Sequence, residues 1–430
     1  MHYARNPDII IRREHFGGIA FNKANGALIE VDRQACIFLE NLDGKTSLRN
    51  LARQIEEKLN IEINVSELYN VAENLIENDF ICKGTDSQRI TIKGFPEQQD
   101  HLSAPESVHI AVTHRCNYKC PSCYVDNSIT EEMTTEEIKA LIDEMADMKV
   151  FQLAIGGGEP FLRDDLIDIV RYARQKGVIP NITTNGSLIT EDVADKLSGY
   201  IGQIQISVNG HNKALHESAR EKGNFDAVLR SIDILRKHKV SFGINTLLSR
   251  DNVNEIGNLM AFVVQQGAVT LNFLRPKPSK LDDNWYEKSR LSSSDYQMVH
   301  RDIKNVLGKY PIRITVDCAL SFLMNTESSD DLQRHGVYGC SGARRFVSIR
   351  PDGSAYPCSF IDSYCGGNIK NGLKDVWQGF DEFRNIQDHL KGKCAVCETK
   401  HYCAGCRAIS LYETGDITAE EHGCFMIKYS

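Results

Sequence analysis

The amino-acid sequence predicts an α/β protein: a partial (β/α)6 TIM-like barrel between an N-terminal winged-helix-like domain and a C-terminal cysteine-rich domain. Three observations support this prediction. Six strand patterns alternate with six helix patterns between residue 107 and about residue 310, which is typical of a parallel sheet covered by helices. Short strands and three helix patterns precede them, and a dense group of cysteines follows. We therefore divide the chain into residues 1–85, a linker at 86–104, a barrel at 105–310 and a cysteine-rich domain at 311–430.

Composition limits the classes of function. The chain has 430 residues, 41% of them hydrophobic, a formal net charge of -8 and no long basic run, so we do not expect a surface for nucleic acid. No apolar run reaches transmembrane length and residues 1–13 lack a signal-peptide pattern, so we expect a cytoplasmic protein without membrane contact. Because the cytosol is reducing, the 14 cysteines indicate metal binding rather than disulfides.

The first 85 residues predict short strands and three helices. The strands are Ile9–Arg12, His15–Phe21, Ala27–Val31 and Phe80–Lys83, and the helices are Asp32–Leu42, Ser47–Leu59 and Val65–Asn78. This arrangement is typical of a winged helix, whose usual role is DNA binding. The third helix carries Glu67, Glu73 and Glu77, which disfavour phosphate, so peptide binding and a structural role are the alternatives. The linker holds one further predicted strand, Ile90–Ile92.

The middle of the chain predicts the barrel. Its strands are Ser107–Thr113, Val150–Gly156, Ile179–Thr184, Gln203–Val208, Phe242–Leu247 and Thr270–Leu274. Its helices are Thr134–Met148, Asp164–Lys176, Thr190–Leu197, Phe225–Lys237, Val253–Gln266 and Ser292–Leu307. Functional residues of such barrels gather at the carboxyl ends of the strands. The polar connection at 277–294 is expected to run over the barrel mouth.

Three cysteines follow the first barrel strand. Cys116, Cys120 and Cys123 have the spacing C-x3-C-x2-C on a strand-to-helix loop. Three thiolates can hold three irons of a [4Fe–4S] cube, which leaves the fourth iron open to a small molecule. A structural zinc site is the alternative.

This motif, in this place, resembles the cluster motif of the radical S-adenosylmethionine (SAM) superfamily, whose members have a partial six-unit barrel. The resemblance implies that the open iron binds SAM and that SAM is cleaved to a 5′-deoxyadenosyl radical. One departure lies in the cluster loop: Ser122 precedes Cys123 where many members carry an aromatic residue, and Tyr124 follows it.

The same resemblance assigns SAM contacts at the strand ends. Gly156, Gly157, Gly158 and Glu159 correspond to the motif that binds the SAM amino group. Thr184 and Asn185 end the third strand, near the cofactor. Ser207 and Asn209 correspond to the pair that hydrogen-bonds the ribose and the carboxylate of SAM. Arg220 corresponds to an arginine near that carboxylate. The family more often has Asp at the position of Asn209. Weaker candidates, on the adenine side, are Asn245, Thr246 and the run Leu274-Arg275-Pro276.

The C-terminal third predicts a hairpin with a Pro-Asp-Gly turn between Phe346–Arg350 and Ala355–Cys358. Its cysteines resemble the SPASM extension, a domain with auxiliary clusters, although Cys403 and Cys406 are separated by two residues instead of the usual three. The resemblance implies two further [4Fe–4S] cubes. One is held by Cys394, Cys397, Cys403 and Cys424, and the other by Cys340, Cys358, Cys406 and either Cys318 or, as runner-up, Cys365. Paired zinc sites are the alternative.

The N-terminal domain then resembles the leader-recognition domain of ribosomal-peptide maturases, related to the pyrroloquinoline quinone peptide chaperone. We therefore predict an enzyme that forms a thioether or carbon–carbon crosslink in a precursor peptide, with a flavodoxin or ferredoxin as electron donor. Sulfatase-type maturation, haem-precursor decarboxylation and a non-catalytic DNA-binding regulator are the alternatives. No catalytic base is assigned, although Asp317, Tyr338 and Arg344 lie near the predicted cluster in the sequence.

Overall fold

The computed structural model describes residues 2–59, 62–84, 94–97, 101–126, 128–282, 284–323, 339–400 and 403–425. The chain folds as two compact units, Met1–Ala104 and Pro105–Ser430. The predicted strand Ile90–Ile92 and the candidate Tyr338 lie outside the described residues. In the described part, no helix has both the length and the apolar composition that a membrane span requires.

The N-terminal unit combines three helices with two small sheets. Its strands are β1 (His2–Arg5), β2 (Ile9–Glu14), β3 (Gly17–Asn22), β4 (Leu28–Asp32), β5 (Asp43–Ser47) and β6 (Ile81–Lys83). Its helices are α1 (Arg33–Asn41), α2 (Leu48–Leu59) and α3 (Val65–Glu77). The strand orders are β2-β3-β4 and β5-β1-β6, all antiparallel. The three helices are confirmed, but β1 and β5 were not predicted because both are short and polar, with only two fully buried side chains in β1 and none in β5.

Local chemistry explains where these helices begin. Asp32 caps α1 by accepting a hydrogen bond from the Ala35 amide, and Asn64 caps α3 by accepting from the amides of Ser66 and Glu67. Phe38 and Leu39 of α1 are buried in the core of the unit. The amphipathic pattern of the sequence is therefore what orients the helices.

The end of the linker is tied to the N-terminal unit. The ion pair between Arg12 and Glu14 is almost fully buried, with 2.7 Å between Nε and Oε1. Arg12 donates to the Ala104 carbonyl at 2.8 Å, and Glu14 accepts from the Ser103 amide at 2.8 Å. Phe95 packs against the same core. The compact unit thus extends past residue 85, where the predicted domain ends.

The second unit is built on one ten-stranded sheet. Its strands are β7 (Ser107–Thr113), β8 (Gln152–Gly157), β9 (Ile179–Thr184), β10 (Gln203–Ser207), β11 (Phe242–Leu247), β12 (Thr270–Leu274), β13 (Arg313–Val316), β14 (Phe346–Ile349), β15 (Ser354–Tyr356) and β16 (Gly367–Asn368). The order is β13-β12-β11-β10-β9-β8-β7-β14-β15-β16, and the seven strands from β7 to β13 run parallel. This confirms the predicted α/β partial barrel and adds β13, which was not predicted.

Helices connect the strands of this sheet. They are α4 (Thr135–Asp147), α5 (Leu166–Gln175), α6 (Glu191–Leu197), α7 (Lys213–Glu217), α8 (Asn224–Lys237), α9 (Ile256–Gln266), α10 (Trp285–Ser289) and α11 (Ser293–Val306). Thr134 and Glu137 form a capping box at the start of α4, and Ser292 and Asp295 form one at the start of α11. The six predicted helices are present with ends shifted by at most three residues, and α7 and α10 are additional.

The C-terminal region joins the sheet through the predicted hairpin. β14 pairs antiparallel with β15 and parallel with β7, with Phe346 opposite Ser107. His109 of β7 stacks on Phe346 with 4.3 Å between ring centroids. Four short helices follow: α12 (Leu373–Gln378), α13 (Asp381–Arg384), α14 (Gly392–Ala395) and α15 (Arg407–Thr414). The cysteine-rich region is thus part of the same sheet as the barrel.

Candidate functional site

The loop between β7 and α4 holds three cysteines close together. Cys120 is buried, Cys123 is half-buried and Cys116 is exposed. The Cys123 amide donates to the Cys120 carbonyl at 3.1 Å, so the loop turns back and brings the thiols within electrostatic reach of one another. Burial is the main cause that raises the pKa of the Cys116 and Cys123 thiols. A cation bound there would favour the thiolate forms, as metal coordination requires.

The glycine turn after β8 lies against the first residues of this loop. The amides of Gly158 and Glu159 donate to the carbonyls of Thr113 and Arg115, both at 2.8 Å. A Cβ atom on Gly157 or Gly158 would stand 2.1 Å from one of these carbonyl oxygens, whereas a Cβ on Gly156 would meet no atom within 4 Å. Gly157 and Gly158 therefore allow the chain to pack on itself, and Gly156 leaves open space.

Glu159 joins the glycine turn to the next strand. Its carboxylate is buried and accepts from the Thr184 hydroxyl at 2.8 Å, the Asn185 amide at 2.9 Å and the Phe161 amide at 3.3 Å. Burial raises the pKa of Glu159, and the donated hydrogen bonds oppose that rise. With these partners inside the chain, Glu159 holds the end of β9 in place beside the glycine turn.

The end of β9 reaches the cluster loop through Asn185. Its side-chain amide donates to the Asn117 side chain at 3.0 Å and lies 3.9 Å from the Cys116 sulfur. Its side-chain carbonyl accepts from the Ser187 amide at 2.8 Å. The structure thus brings together the predicted β9 residues and Cys116.

The end of β10 carries a buried amide group with an open donor. Asn209 is 1% exposed, and its Oδ1 accepts from the Leu247 amide at 3.1 Å. Its Nδ2 is buried and has no hydrogen-bond partner in the described part of the chain. Ser207, also buried, lies two residues earlier at the end of the strand. A buried donor without a partner is costly, so this amide fits a polar ligand such as SAM.

Arg220 follows α7 and faces the cluster loop. It lies within electrostatic reach of Cys123, Tyr124 and Glu159. Its Nε is buried and lacks a hydrogen-bond partner among the described residues. A half-buried guanidinium with a vacant donor fits the carboxylate of a ligand.

The weaker adenine-side candidates differ in whether their side chains already have hydrogen-bond partners within the chain. The Thr246 hydroxyl donates a hydrogen bond to the Val208 carbonyl at 2.7 Å, so it already has a partner within the chain. Arg275 is buried, pairs with Glu421 at 2.7 Å and donates to the Ala319 carbonyl at 3.2 Å. The Arg275 side chain therefore holds the C-terminal region to β12.

Four of the later cysteines form a first group in the C-terminal region. Cys318 lies within electrostatic reach of Cys340, Cys358 and Cys406, and burial is the main cause that raises the pKa of the Cys318 thiol. Cys365 stands apart: it is exposed, and its thiol donates to the Gly367 carbonyl at 3.5 Å. The arrangement favours Cys318 over Cys365 as the fourth ligand of a cube.

The other four cysteines form a second group. Cys394, Cys397, Cys403 and Cys424 line one cavity. Glu421 lies on the wall of this cavity and also accepts from the Cys406 amide of the first group at 3.0 Å. The Cys340 amide donates to the Cys403 carbonyl at 3.0 Å, so backbone contacts connect the two groups.

The spacing of these thiols bears on the zinc alternative. A zinc ion needs sulfur atoms about 2.3 Å from one centre. Within the described ranges, no three Cys, His, Asp or Glu side chains are arranged to hold one metal ion. A cube makes a different demand, because each of its thiolates binds a different iron.

One cation near the first group was missed in the sequence. Lys277 pairs with Asp317 at 2.8 Å, both side chains being mostly buried, and its Nζ lies 4.5 Å from the centroid of the Phe360 ring. Phe360 packs on Tyr124 of the cluster loop with 4.4 Å between centroids. The connection that begins at Lys277 was predicted to cross the barrel mouth, but single lysines in a polar run give no sign that one is buried.

Comparison with known proteins agrees with this arrangement. Residues 110–263 match the family model of the Radical SAM superfamily, and residues 340–407 match that of an iron–sulfur cluster-binding domain, SPASM. The AdoMet-dependent heme synthase of Methanosarcina barkeri is 30% identical over 340 residues, which cover 75% of this chain and 97% of that protein. The mycofactocin maturase MftC of Mycolicibacterium smegmatis is 30% identical over 323 residues, which cover 72% of this chain and 80% of that protein.

The fold has a counterpart among solved structures. Streptococcus suis SuiB bound to the precursor peptide SuiA superposes with a TM-score of 0.73 at 18% identity, over 99% of this chain and 100% of that one. The three cysteine groups, the glycine turn and the family matches lead to one conclusion. The chain belongs to the radical SAM superfamily and carries a SPASM iron–sulfur cluster-binding domain.

Proposed function

We propose that this enzyme forms an intramolecular crosslink, a thioether or a carbon–carbon bond, in a ribosomally made precursor peptide. The observation that carries the proposal is the N-terminal unit Met1–Ala104, which stands ahead of the barrel as a separate compact unit. The relatives add support, because one is a maturase and a structure of the same fold holds a precursor peptide. A unit that recognises the leader would deliver the rest of the peptide to the barrel mouth.

The cysteine groups define the cofactor sites in this proposal. Cys116, Cys120 and Cys123 hold the cube that binds SAM, and the two later groups hold two auxiliary cubes. SAM and its cube, when bound, supply a 5′-deoxyadenosyl radical. Asn209 and Arg220 offer their vacant donors to SAM, and the open space at Gly156 admits it. Glu159 holds the end of β9 and the glycine turn together beside that space through its hydrogen bonds to Thr184 and Asn185.

The outcome of the reaction gives a direct test. Crosslink formation would take from the peptide one hydrogen atom, one proton and one electron, and an auxiliary cube, when bound, would supply the acceptor for that electron. The reduced, reconstituted enzyme with SAM and a precursor encoded beside its gene should give a peptide lighter by two hydrogens. Mass spectrometry measures this, with a reaction lacking SAM as control. A peptide of unchanged mass with one inverted stereocentre would show that the enzyme epimerises the peptide and does not crosslink it.

Leader recognition can be tested in the full-length chain. Half-buried apolar side chains of β4 (Ile29, Val31) and α3 (Leu68, Tyr69) rim the core of the N-terminal unit, and Val71 on α3 is 41% exposed. β4 is an outer strand of the sheet β2-β3-β4, and these side chains of β4 and α3 are apolar and only partly buried. Peptides bind such surfaces by adding a strand and filling side-chain pockets.

We expect Val71→Glu to weaken leader binding about tenfold, the equivalent of about 1.4 kcal/mol, through lost apolar contact and an added charge. The measurement is a fluorescence titration with labelled leader peptide. Val269→Glu is the matched control, because Val269 is 47% exposed on the barrel unit. Equal binding by both variants would argue against recognition at α3.

Haem-precursor decarboxylation is the second candidate, since a heme synthase is 30% identical. That alignment covers 75% of this chain, so about a quarter of the chain has no counterpart in it. The peptide hypothesis gives such an additional part of the chain a role, namely recognition of the leader. Loss of carbon dioxide from a porphyrin substrate, unaffected by Val71→Glu, would favour this candidate instead.

A further inference from the structure

The cluster loop is fastened to the segment that carries Arg220. The Ser122 hydroxyl donates to the Ala219 carbonyl at 2.8 Å. The Lys119 amide donates to the Glu221 carboxylate at 2.9 Å. Arg220 lies between these two attachment points, so the position of its backbone follows that of the loop.

The far side of the segment is also fixed. Ala219 is 3% exposed and packs with Trp285 and Tyr286 of α10. Glu217, at the end of α7, accepts from the Gly223 amide at 2.9 Å and so holds the residues after Arg220 against α8. Ala219 is therefore held on one side by an apolar contact and on the other by the Ser122 hydroxyl.

Arg220 is the functional group within this segment. Its Nε is buried without a hydrogen-bond partner among the residues that the structure describes, and its charge faces Cys123. A guanidinium binds a carboxylate through two parallel hydrogen bonds, which demand an accurate position. A shift of its backbone would misplace both bonds.

We propose that Ser122 is a positioning residue for SAM binding: its hydroxyl sets the place of Arg220, and Arg220 receives the carboxylate of SAM. At this position a hydroxyl group acts through the backbone of Ala219, in the place where many superfamily members carry an aromatic side chain. The inference rests on the assigned role of Arg220 and is independent of the peptide substrate.

The first test compares Ser122→Ala with Ser122→Thr in the reconstituted full-length enzyme. Titration of SAM, followed by the electron paramagnetic resonance signal of the reduced cluster, gives the dissociation constant. Loss of one hydrogen bond should weaken SAM binding by about three- to tenfold in Ser122→Ala. Ser122→Thr keeps the hydroxyl and should restore binding close to that of the unmodified enzyme. Iron content should be the same in all three proteins.

The second test is a double-mutant cycle with Arg220→Gln. If Ser122 acts through Arg220, Ser122→Ala should have little further effect on SAM affinity once Arg220 is replaced. Independent, additive effects would overturn the proposal, as would unchanged SAM affinity in Ser122→Ala. Loss of about a third of the iron in Ser122→Ala would also overturn it, because the hydroxyl would then hold the cluster itself.

Discussion

Single residues of the same type have different tasks in the glycine turn after β8. Gly157 has a φ of +123°, a backbone conformation that side chains disfavour, and Gly158 packs directly on the Arg115 carbonyl. Gly156 contacts no such atom and faces open space. The turn therefore contains two residues that shape the backbone and one that leaves room for a ligand.

A pair of alanine substitutions separates these tasks. Gly158→Ala should displace the start of the cluster loop, cost about 1–3 kcal/mol of stability and reduce the iron held by the first three cysteines. Gly156→Ala should keep the iron and the stability but weaken SAM binding. Iron analysis, thermal unfolding and SAM titration measure these effects. Equal iron loss in both variants would contradict the separate tasks.

At the scale of an element, the short helix α7 links the ends of two strands. His216 on α7 is fully buried: its Nδ1 accepts from the Asn209 amide at 3.4 Å, and its Nε2 pairs with the Asn224 side chain at 2.8 Å. Asn224 in turn donates to the Asn185 carbonyl at 3.2 Å. This buried chain of hydrogen bonds connects β10 to β9 beside the candidate SAM site.

The protonation of His216 gives this element a pH dependence. Burial lowers the pKa of His216 to about 4, from 6.5 in the unfolded chain, so the folded state favours the neutral ring. Stability is fully present above pH 6.5 and is lost as the pH falls toward 4. Between pH 7.5 and 5.5 the loss should be about 1 kcal/mol. Anaerobic denaturant unfolding should show a loss smaller by that amount in His216→Gln, because the buried His109, whose pKa is also lowered to about 4, keeps its own contribution in both proteins. Parallel pH curves for the two proteins would refute the assignment.

The elements were more predictable than the contacts between them. β7, β9, β11 and β12 agree with their predicted ends, because buried branched side chains and following turns mark them clearly. The three cysteines of the cluster loop were predicted from their spacing, and the two later groups were predicted from the resemblance to the SPASM extension. The roles of Glu159 and Arg275 were not, because a buried carboxylate with three donors, or a buried ion pair across 146 residues, leaves no local pattern. Asn224 and Lys277 were missed for the same reason.

For the whole molecule, the three cysteine groups should load metal separately. Cys116, Cys120 and Cys123 lie in the loop after β7, and the other two groups lie in the C-terminal region. Replacing Cys116, Cys120 and Cys123 by alanine should abolish SAM cleavage and leave the auxiliary iron in place. Iron analysis and the electron paramagnetic resonance spectrum of the reduced protein measure this. Loss of all iron would mean that the C-terminal groups depend on the first cube.

The parallel pairing of β7 with β14 has a consequence for the chain while it is being made. Glu106 and Arg345, which form an ion pair at the start of these two strands, are 239 residues apart in the sequence. At about 5–20 residues per second, ribosomes add the hairpin about 10 to 50 s after β7. During that interval β7 has an exposed edge, and such edges pair readily with other chains. The nascent protein is thus more prone to aggregation than the finished enzyme, and slower translation prolongs the risk.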